Sequence, residues 1–152
     1  MLGSDSQIQE NESDKYTVID SLPVANDQYE YSHNLQGDLT GTGTHLGVNY
    51  RHANPGGWFS YDLAVEQGVT NYVCVKYFSG DAGRAFTLYI DGQAVENVVL
   101  ENVNPGDFYV VYYEIPDALI QGKSTVTVRF EADSGHYAGG IFDKISTVKD
   151  KE

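Results

Sequence analysis

One cysteine, one tryptophan, one methionine and four prolines are spread over 152 residues, and 9 Lys+Arg stand against 22 Asp+Glu. The lone cysteine excludes an internal disulfide and any zinc site built from several thiolates. The shortage of basic side chains leaves a formal net charge of −13. That is the wrong sign for nucleic acid, whose phosphates are met by a basic stripe, and for docking on anionic lipid. No apolar run approaches the roughly 20 residues of a membrane-spanning helix, so membrane insertion is not expected. Helical periodicity is scarce as well. What the chain does have is 16 Gly, 12 Tyr and 6 Phe in a sequence 41% hydrophobic, long enough for one domain with a real core.

The ends differ from the middle. Residues 1–14 carry Asp5, Glu10, Glu12 and Asp14, no basic residue, and only Met1, Leu2 and Ile8 as large apolar groups. Such a composition cannot offset its ordering entropy, and the segment reads as a disordered acidic tail or linker. It has neither the basic nor the apolar region of a signal peptide. The chain is therefore expected to be either cytosolic or a mature or excised piece, and the linker-like leader favours the piece. Residues 149–152 read as a polar tail, which leaves a single domain over 15–148.

Within that span the dominant pattern is alternation with period two. Phe59, Tyr61, Leu63 and Val65 share one face, and Phe86, Leu88 and Ile90 another. The run Tyr72 to Phe78 is apolar on both faces and predicts a central strand, with Cys74 as an inert core thiol. Asp91-Gly92 and Asn104-Pro105-Gly106-Asp107 are turn signals, and Pro116 stops the strand that begins at Phe108. Thr125 to Ala132 and Ile141 to Val148 supply further strands, and Thr17 to Ile19 the first. About eight short strands without helical connectors predict an antiparallel all-β fold, a two-sheet jelly-roll β-sandwich, with a closed barrel as the alternative.

The segment from Tyr29 to Trp58 is long, polar and rich in Gly and Thr, and reads either as a ligand-binding loop or as a structural excursion over a sheet edge. The four histidines, His33, His45, His52 and His136, lack zinc-site spacing. Calcium needs six to eight oxygen ligands, and Glu30 early in the chain with Asp143 on the last strand are the candidates. A serine elbow and a phosphate-binding Gly-rich loop are both missing, and any carboxylate pair drawn from 22 acids is unspecific, so a non-catalytic domain is expected. Sugar rings stack their C–H faces on aromatic side chains and need fixed polar partners for their hydroxyls. Trp58 and Tyr137, next to Arg51, His52 and His136, form the candidate carbohydrate site.

Ordered motifs add a resemblance. Glu30-Tyr31-Ser32-His33-Asn34, Tyr50-Arg51-His52-Ala53, Gly56-Gly57-Trp58-Phe59-Ser60-Tyr61-Asp62-Leu63, Arg84 to Gly92, Thr125 to Phe130 and Ala138-Gly139-Gly140-Ile141-Phe142 follow one another from Glu30 to Phe142. Together they resemble the C-terminal β-sandwich appended to beta-L-arabinofuranosidase-type glycoside hydrolases (family 127 and relatives). That resemblance implies a non-catalytic accessory module of a bacterial, periplasmic or extracellular polysaccharide-degrading system, partnered by carbohydrate or by a glycoside hydrolase catalytic domain. His52 replaces an acidic residue of the family pattern. The ending Asp143-Lys144-Ile145 is instead similar to the last strand of galactose-binding-like carbohydrate modules, in which an Asp at this place binds calcium. By that analogy Glu30 and Asp143 would hold a structural calcium ion. The alternative expectation is a purely structural domain that packs on a catalytic barrel or partner subunit and binds no sugar.

Overall fold

The computed structural model describes residues 15–151; the expected acidic tail over 1–14 lies outside the described residues. Among the described residues, ten strands carry the fold: β1 (Tyr16–Pro23), β2 (Gln36–His45), β3 (Val48–Ala64), β4 (Asn71–Phe78), β5 (Ala85–Ile90), β6 (Gln93–Val99), β7 (Phe108–Ile115), β8 (Thr125–Ala132), β9 (Ala138–Phe142) and β10 (Lys144–Asp150). One short helix, α1 (Asp27–Ser32), follows β1. All pairings are antiparallel. A six-stranded sheet has the order β9-β3-β8-β5-β6 with β2 also on β3, and a four-stranded sheet has the order β1-β10-β4-β7. The two sheets form the jelly-roll β-sandwich that the alternation predicts, not a closed barrel.

The core is the period-two pattern made physical. Phe59, Tyr61 and Leu63 of β3, Phe86, Leu88 and Ile90 of β5, and Val126, Val128 and Phe130 of β8 face Val73, Val75 and Tyr77 of β4, all buried. Burial of each such side chain is worth about 1.5–3 kcal/mol. Asp91 adopts φ +48 at the β5–β6 turn, as the Asp-Gly signal requires.

Four sequence expectations are corrected. First, the polar run from Tyr29 to Trp58 is mostly regular structure: α1, then the β2–β3 hairpin. Its Gly and Thr residues hid the alternation, because they add little apolar signal. Second, Ile141 to Val148 is two strands in different sheets, joined at Asp143 with φ +69. Third, Cys74 is not in the core. Val73, Val75 and Tyr77 point inward, so Cys74, Lys76 and Phe78 occupy the outer face of the four-stranded sheet, half-buried. Burial pushes the Cys74 thiol up to about 11, which keeps it mostly protonated at neutral pH and makes it a slow nucleophile. Fourth, Lys149 and Asp150 belong to β10: Lys149 Nζ reaches Glu66 Oε2 at 2.9 Å, and Lys151 N–H donates to the Lys15 carbonyl.

The long strand β3 is the organising element. Its first half pairs with β9 and its second with β8, while β2 runs along both. Between the halves, Asn54-Pro55-Gly56-Gly57 bulges out opposite Leu39 alone. The alternation on either side of that bulge decides which polar side chains turn into the protein and which turn out.

Candidate functional site

Arg51 turns in. Its Nε and NH2 donate to Glu30 Oε2 and Oε1 at 2.8 and 3.1 Å, and its NH1 donates to Thr40 Oγ1 at 3.0 Å. The Tyr61 hydroxyl donates to the same Glu30 carboxylate. Glu30 is 0% and Arg51 8% exposed. Burial alone would raise the Glu30 pKa, but the Arg51 and Tyr61 hydrogen bonds and the Arg51 charge outweigh it and hold the carboxyl below its ordinary value. The motif residues Glu30, Arg51 and Tyr61 thus form a sealed bidentate ion pair that fastens α1 to β3. Arg51 is accordingly separated from any surface ligand. Glu30 does not fit a calcium ligand set either, since both of its oxygens already accept from a cation or a hydroxyl. Among the described residues, no group of three or more His, Cys, Asp or Glu side chains gathers where it could hold a metal ion.

His33 makes a second fastening of the same helix. Its Nδ1 faces the Tyr29 carbonyl at 2.9 Å and its Nε2 faces Asp20 Oδ1 at 2.9 Å, so both ring nitrogens meet acceptors. Burial works against the imidazolium, yet the Asp20 hydrogen bond, the Tyr29 carbonyl and the Asp20 and Asp62 charges outweigh it and raise the His33 pKa. Asp20 also accepts from the backbone N–H of Ala64 at 2.8 Å, which ties β1 to the end of β3.

His52, the next residue on β3, turns out, and it sits in a ladder of rings at one end of the sandwich. Tyr137 meets His52 edge-on at 6.1 Å between centroids, His52 stacks on Tyr50 at 5.6 Å, and Tyr50 contacts Phe142 at 5.1 Å. Phe142 meets Phe108 at 5.0 Å and Phe78 at 6.1 Å, and Phe78 meets His45 at 4.6 Å. These separations fall within the usual range for ring–ring attraction. Two local features let the ladder form. Position 43 on the neighbouring strand β2 is glycine, and the Tyr50 ring lies where a side chain would be, with its hydroxyl 2.5 Å from the place of a β-carbon. Gly139 takes φ +83, and a β-carbon there would lie 3.0 Å from the Arg51 carbonyl oxygen, so glycine is what allows β9 to approach β3.

A cation caps each end of the ladder. The Arg84 guanidinium lies 5.3 Å from the Tyr137 ring centre, and Lys76 Nζ lies 6.0 Å from that of Phe108. Arg84 also faces Asp81 at 3.4 Å, although burial raises the Asp81 pKa above its ordinary value. Burial, followed by the nearby Arg84 charge, pushes the His52 pKa below its ordinary value. A neutral imidazole can both donate and accept, which suits a hydroxyl.

Beside the ladder opens a cavity of about 380 Å³ between the start of α1, the β2–β3 hairpin and the β9–β10 corner, lined among others by Asn26, Asn49, Lys76 and Asp143. Lys76 Nζ and Asp143 Oδ2 are 3.8 Å apart, close enough for ionic attraction but too far for a direct hydrogen bond. Both groups are therefore able to hydrogen-bond a third molecule, one as donor and one as acceptor.

The structure thus brings His52 and Tyr137 together and puts Asp143 beside the same end of the sandwich. Tyr137 is 44% exposed. His136 is exposed next to it, with Nδ1 facing the Ser134 carbonyl at 2.9 Å. Trp58 faces outward from β3 beyond the bulge and stacks instead with Arg129, whose guanidinium carbon is 4.0 Å from the ring centre. Sequence reasoning missed Lys76, Arg84, Phe78, Phe108 and Phe142 as members of this end. One signal was present: Lys76 is the only charge within the apolar run from Tyr72 to Phe78.

Comparison with solved structures supports the fold. A family 35 carbohydrate-binding module from Clostridium thermocellum superposes with a TM-score of 0.53 at 13% identity, covering 86% of this chain and 98% of that one. The CBM35 from Paenibacillus barcinonensis gives 0.56 at 14%, covering 84% and 96%. The C-terminal CBM6 of LamC, a laminarinase from Zobellia galactanivorans, gives 0.55 at 13%, covering 83% and 98%. At such identities the likeness is one of fold. A search of the curated proteins found no match. The sequence itself is matched over residues 14–145 by a family of unknown function, DUF6805, which takes in the Glu30–Arg51 pair, the ring ladder and the Asp143 corner, and the chain belongs to that family.

Proposed function

We propose that the domain is a non-catalytic carbohydrate-binding module whose site is the ring ladder and the adjoining Lys76–Asp143 cavity. The observation that carries this reading is the pairing of an exposed ring edge with hydrogen-bonding groups of both signs. Tyr137, His52 and Tyr50 offer surfaces for sugar C–H groups, while Lys76 donates to a hydroxyl oxygen and Asp143 accepts a hydroxyl proton. The cavity volume falls in the range of small-molecule sites, about 300–1,000 Å³. The likeness of fold to family 35 carbohydrate-binding modules supports the same reading by analogy.

The ordered motifs that resemble the sandwich of beta-L-arabinofuranosidase-type hydrolases extend the proposal. In that reading the domain serves a glycoside hydrolase outside the cytoplasm, in the periplasm or the extracellular space of a bacterium. A glycan array followed by titration calorimetry on the positive sugars tests the binding. The expected result is saturable binding that Tyr137→Ala weakens and Asp143→Ala abolishes. No binding to any glycan at millimolar sugar would refute it. The link to a hydrolase is tested separately, by whether the domain co-purifies with a catalytic chain or is encoded as part of one.

A further inference from the structure

The cavity is not closed. Lys76 and Asp143 also line a second, larger depression, a groove of about 780 Å³ over the outer face of the four-stranded sheet. Phe108, the ring under the Lys76 ammonium, stands at the near end of that groove. From there the groove runs along β10 and β4, past Lys144 and Cys74, to Val18 and the stacked rings of Tyr16 and Tyr112, 4.2 Å apart at the far end. Lys144 to Val148 alone covers four residue steps, about 14 Å of extended strand. The groove is therefore longer than one sugar ring.

Its chemistry is mixed throughout. Rings and aliphatic groups form the floor, while Lys76, Lys144, Asp107 and Asp143 stand along it. A buried protein–protein interface core is depleted in Lys and Asp, because each charge must be desolvated there. A polyhydroxylated chain has the opposite demand, since every ring brings an apolar face together with donors and acceptors at its rim.

Resting on the carbohydrate-binding reading, we propose that this groove is the continuation of the site, and that the true ligand is an extended oligosaccharide or polysaccharide chain. One ring sits in the Lys76–Asp143 cavity, and the following rings lie along the outer face of the four-stranded sheet toward Tyr112. The single cysteine on the floor of the groove makes the path observable, since a chain lying there covers Cys74 and a lone sugar in the cavity does not.

The test uses xylose, arabinose and glucose, each paired with its linear hexaose (xylohexaose, arabinohexaose and laminarihexaose), in calorimetric titrations of the whole chain. For the sugar type that binds, the hexaose is expected to bind at least about tenfold more tightly than the monosaccharide, a difference of about 1.4 kcal/mol. Val18→Lys, at an exposed position at the far end of the groove, is expected to lower the ratio of the two constants severalfold while keeping the wild-type melting curve. In parallel, saturating hexaose is expected to slow alkylation of Cys74 by N-ethylmaleimide severalfold, and saturating monosaccharide is not. Equal constants for monosaccharide and hexaose, with Cys74 alkylated at the same rate in both, would overturn the extended site and leave the cavity as a single-ring site. Failure of every sugar to bind would overturn the groove and the carbohydrate reading together. A hexaose preference that Val18→Lys leaves unchanged would overturn the path along the groove.

Discussion

Arg51 and His52 are neighbours on one strand, yet they belong to two regions with opposite physics. Arg51 faces inward to a carboxylate and a threonine hydroxyl and is buried, and the carboxylate it meets has no solvent left to it. His52 faces outward into a row of rings bordered by a guanidinium. In the first region every polar atom is matched and geometry is locked. In the second, the Lys76–Asp143 pair is held apart at 3.8 Å and Tyr137 is left half in solvent. Within a motif, therefore, a polar residue type does not by itself mark a binding site. The parity of its position on the strand decides whether it holds the fold or meets a ligand.

The interior pair is the point at which the domain is most sensitive to substitution. Arg51→Met, which leaves the Glu30 carboxylate buried and unpaired, should destabilise the domain by about 3–5 kcal/mol, and Glu30→Leu in the same chain should restore part of the loss. Urea unfolding of the two variants measures both values. A loss below 1 kcal/mol for Arg51→Met would mean that the pair is not sealed. Next comes the His33 fastening. His33→Ala should cost about 1.5 kcal/mol through loss of charge-assisted hydrogen bonds.

That fastening also sets a pH dependence. Because the His33 pKa is raised, its contribution is complete below the ordinary imidazole value of about 6.5 and is lost as pH rises through the raised folded value. The lowered pKa values of Asp20 and Glu30 act in the other direction: their contributions are complete above the ordinary carboxylate range and are lost as pH falls through the depressed values. Melting temperature against pH should therefore decline on both sides of mildly acidic pH. The alkaline decline should disappear in His33→Ala.

At the outer region the expected effects move from stability to affinity. Tyr137→Ala should change stability by no more than about 0.5 kcal/mol, as for an exposed side chain, while weakening sugar binding roughly tenfold. Calorimetry against a thermal melt separates the two readouts. The smallest expected effect is at Trp58. As the only tryptophan, already stacked on Arg129, it should keep its fluorescence emission maximum on addition of a saturating sugar. A shift would move the site from the ring ladder to the outer face of the six-stranded sheet.

Most of the fold was legible in the sequence because strands betray themselves through apolar alternation, as Phe59 to Val65 and Val126 to Phe130 do. Where Gly and Thr replace apolar residues, as in Gln36 to His45, the alternation fades and the strand was missed. Cys74 was misplaced for a related reason. A strand apolar on both faces reads as doubly buried, whereas β4 turns its second face toward an aromatic groove. Of the residues named from the sequence as sugar contacts, His52 and Tyr137 lie together at this end; Asp143 lies there too, although the sequence pointed to it as a calcium ligand. Lys76, Arg84, Phe108 and Phe142 were not named, because they lie on separate elements and come together only where the sheets end.

The all-β sandwich, the turn at Asp91-Gly92 and the acidic charge follow from the residues taken in order, because alternation, turn propensity and charge are local or additive properties. That Glu30 closes on Arg51, that Asp143 faces Lys76 and that Trp58 stacks on Arg129 and not with the ring ladder emerges only once the strands are assembled. Each of those outcomes depends on which strand lies beside which and on a bulge of four residues in β3. Register is a property of paired strands, and a single strand cannot encode it alone.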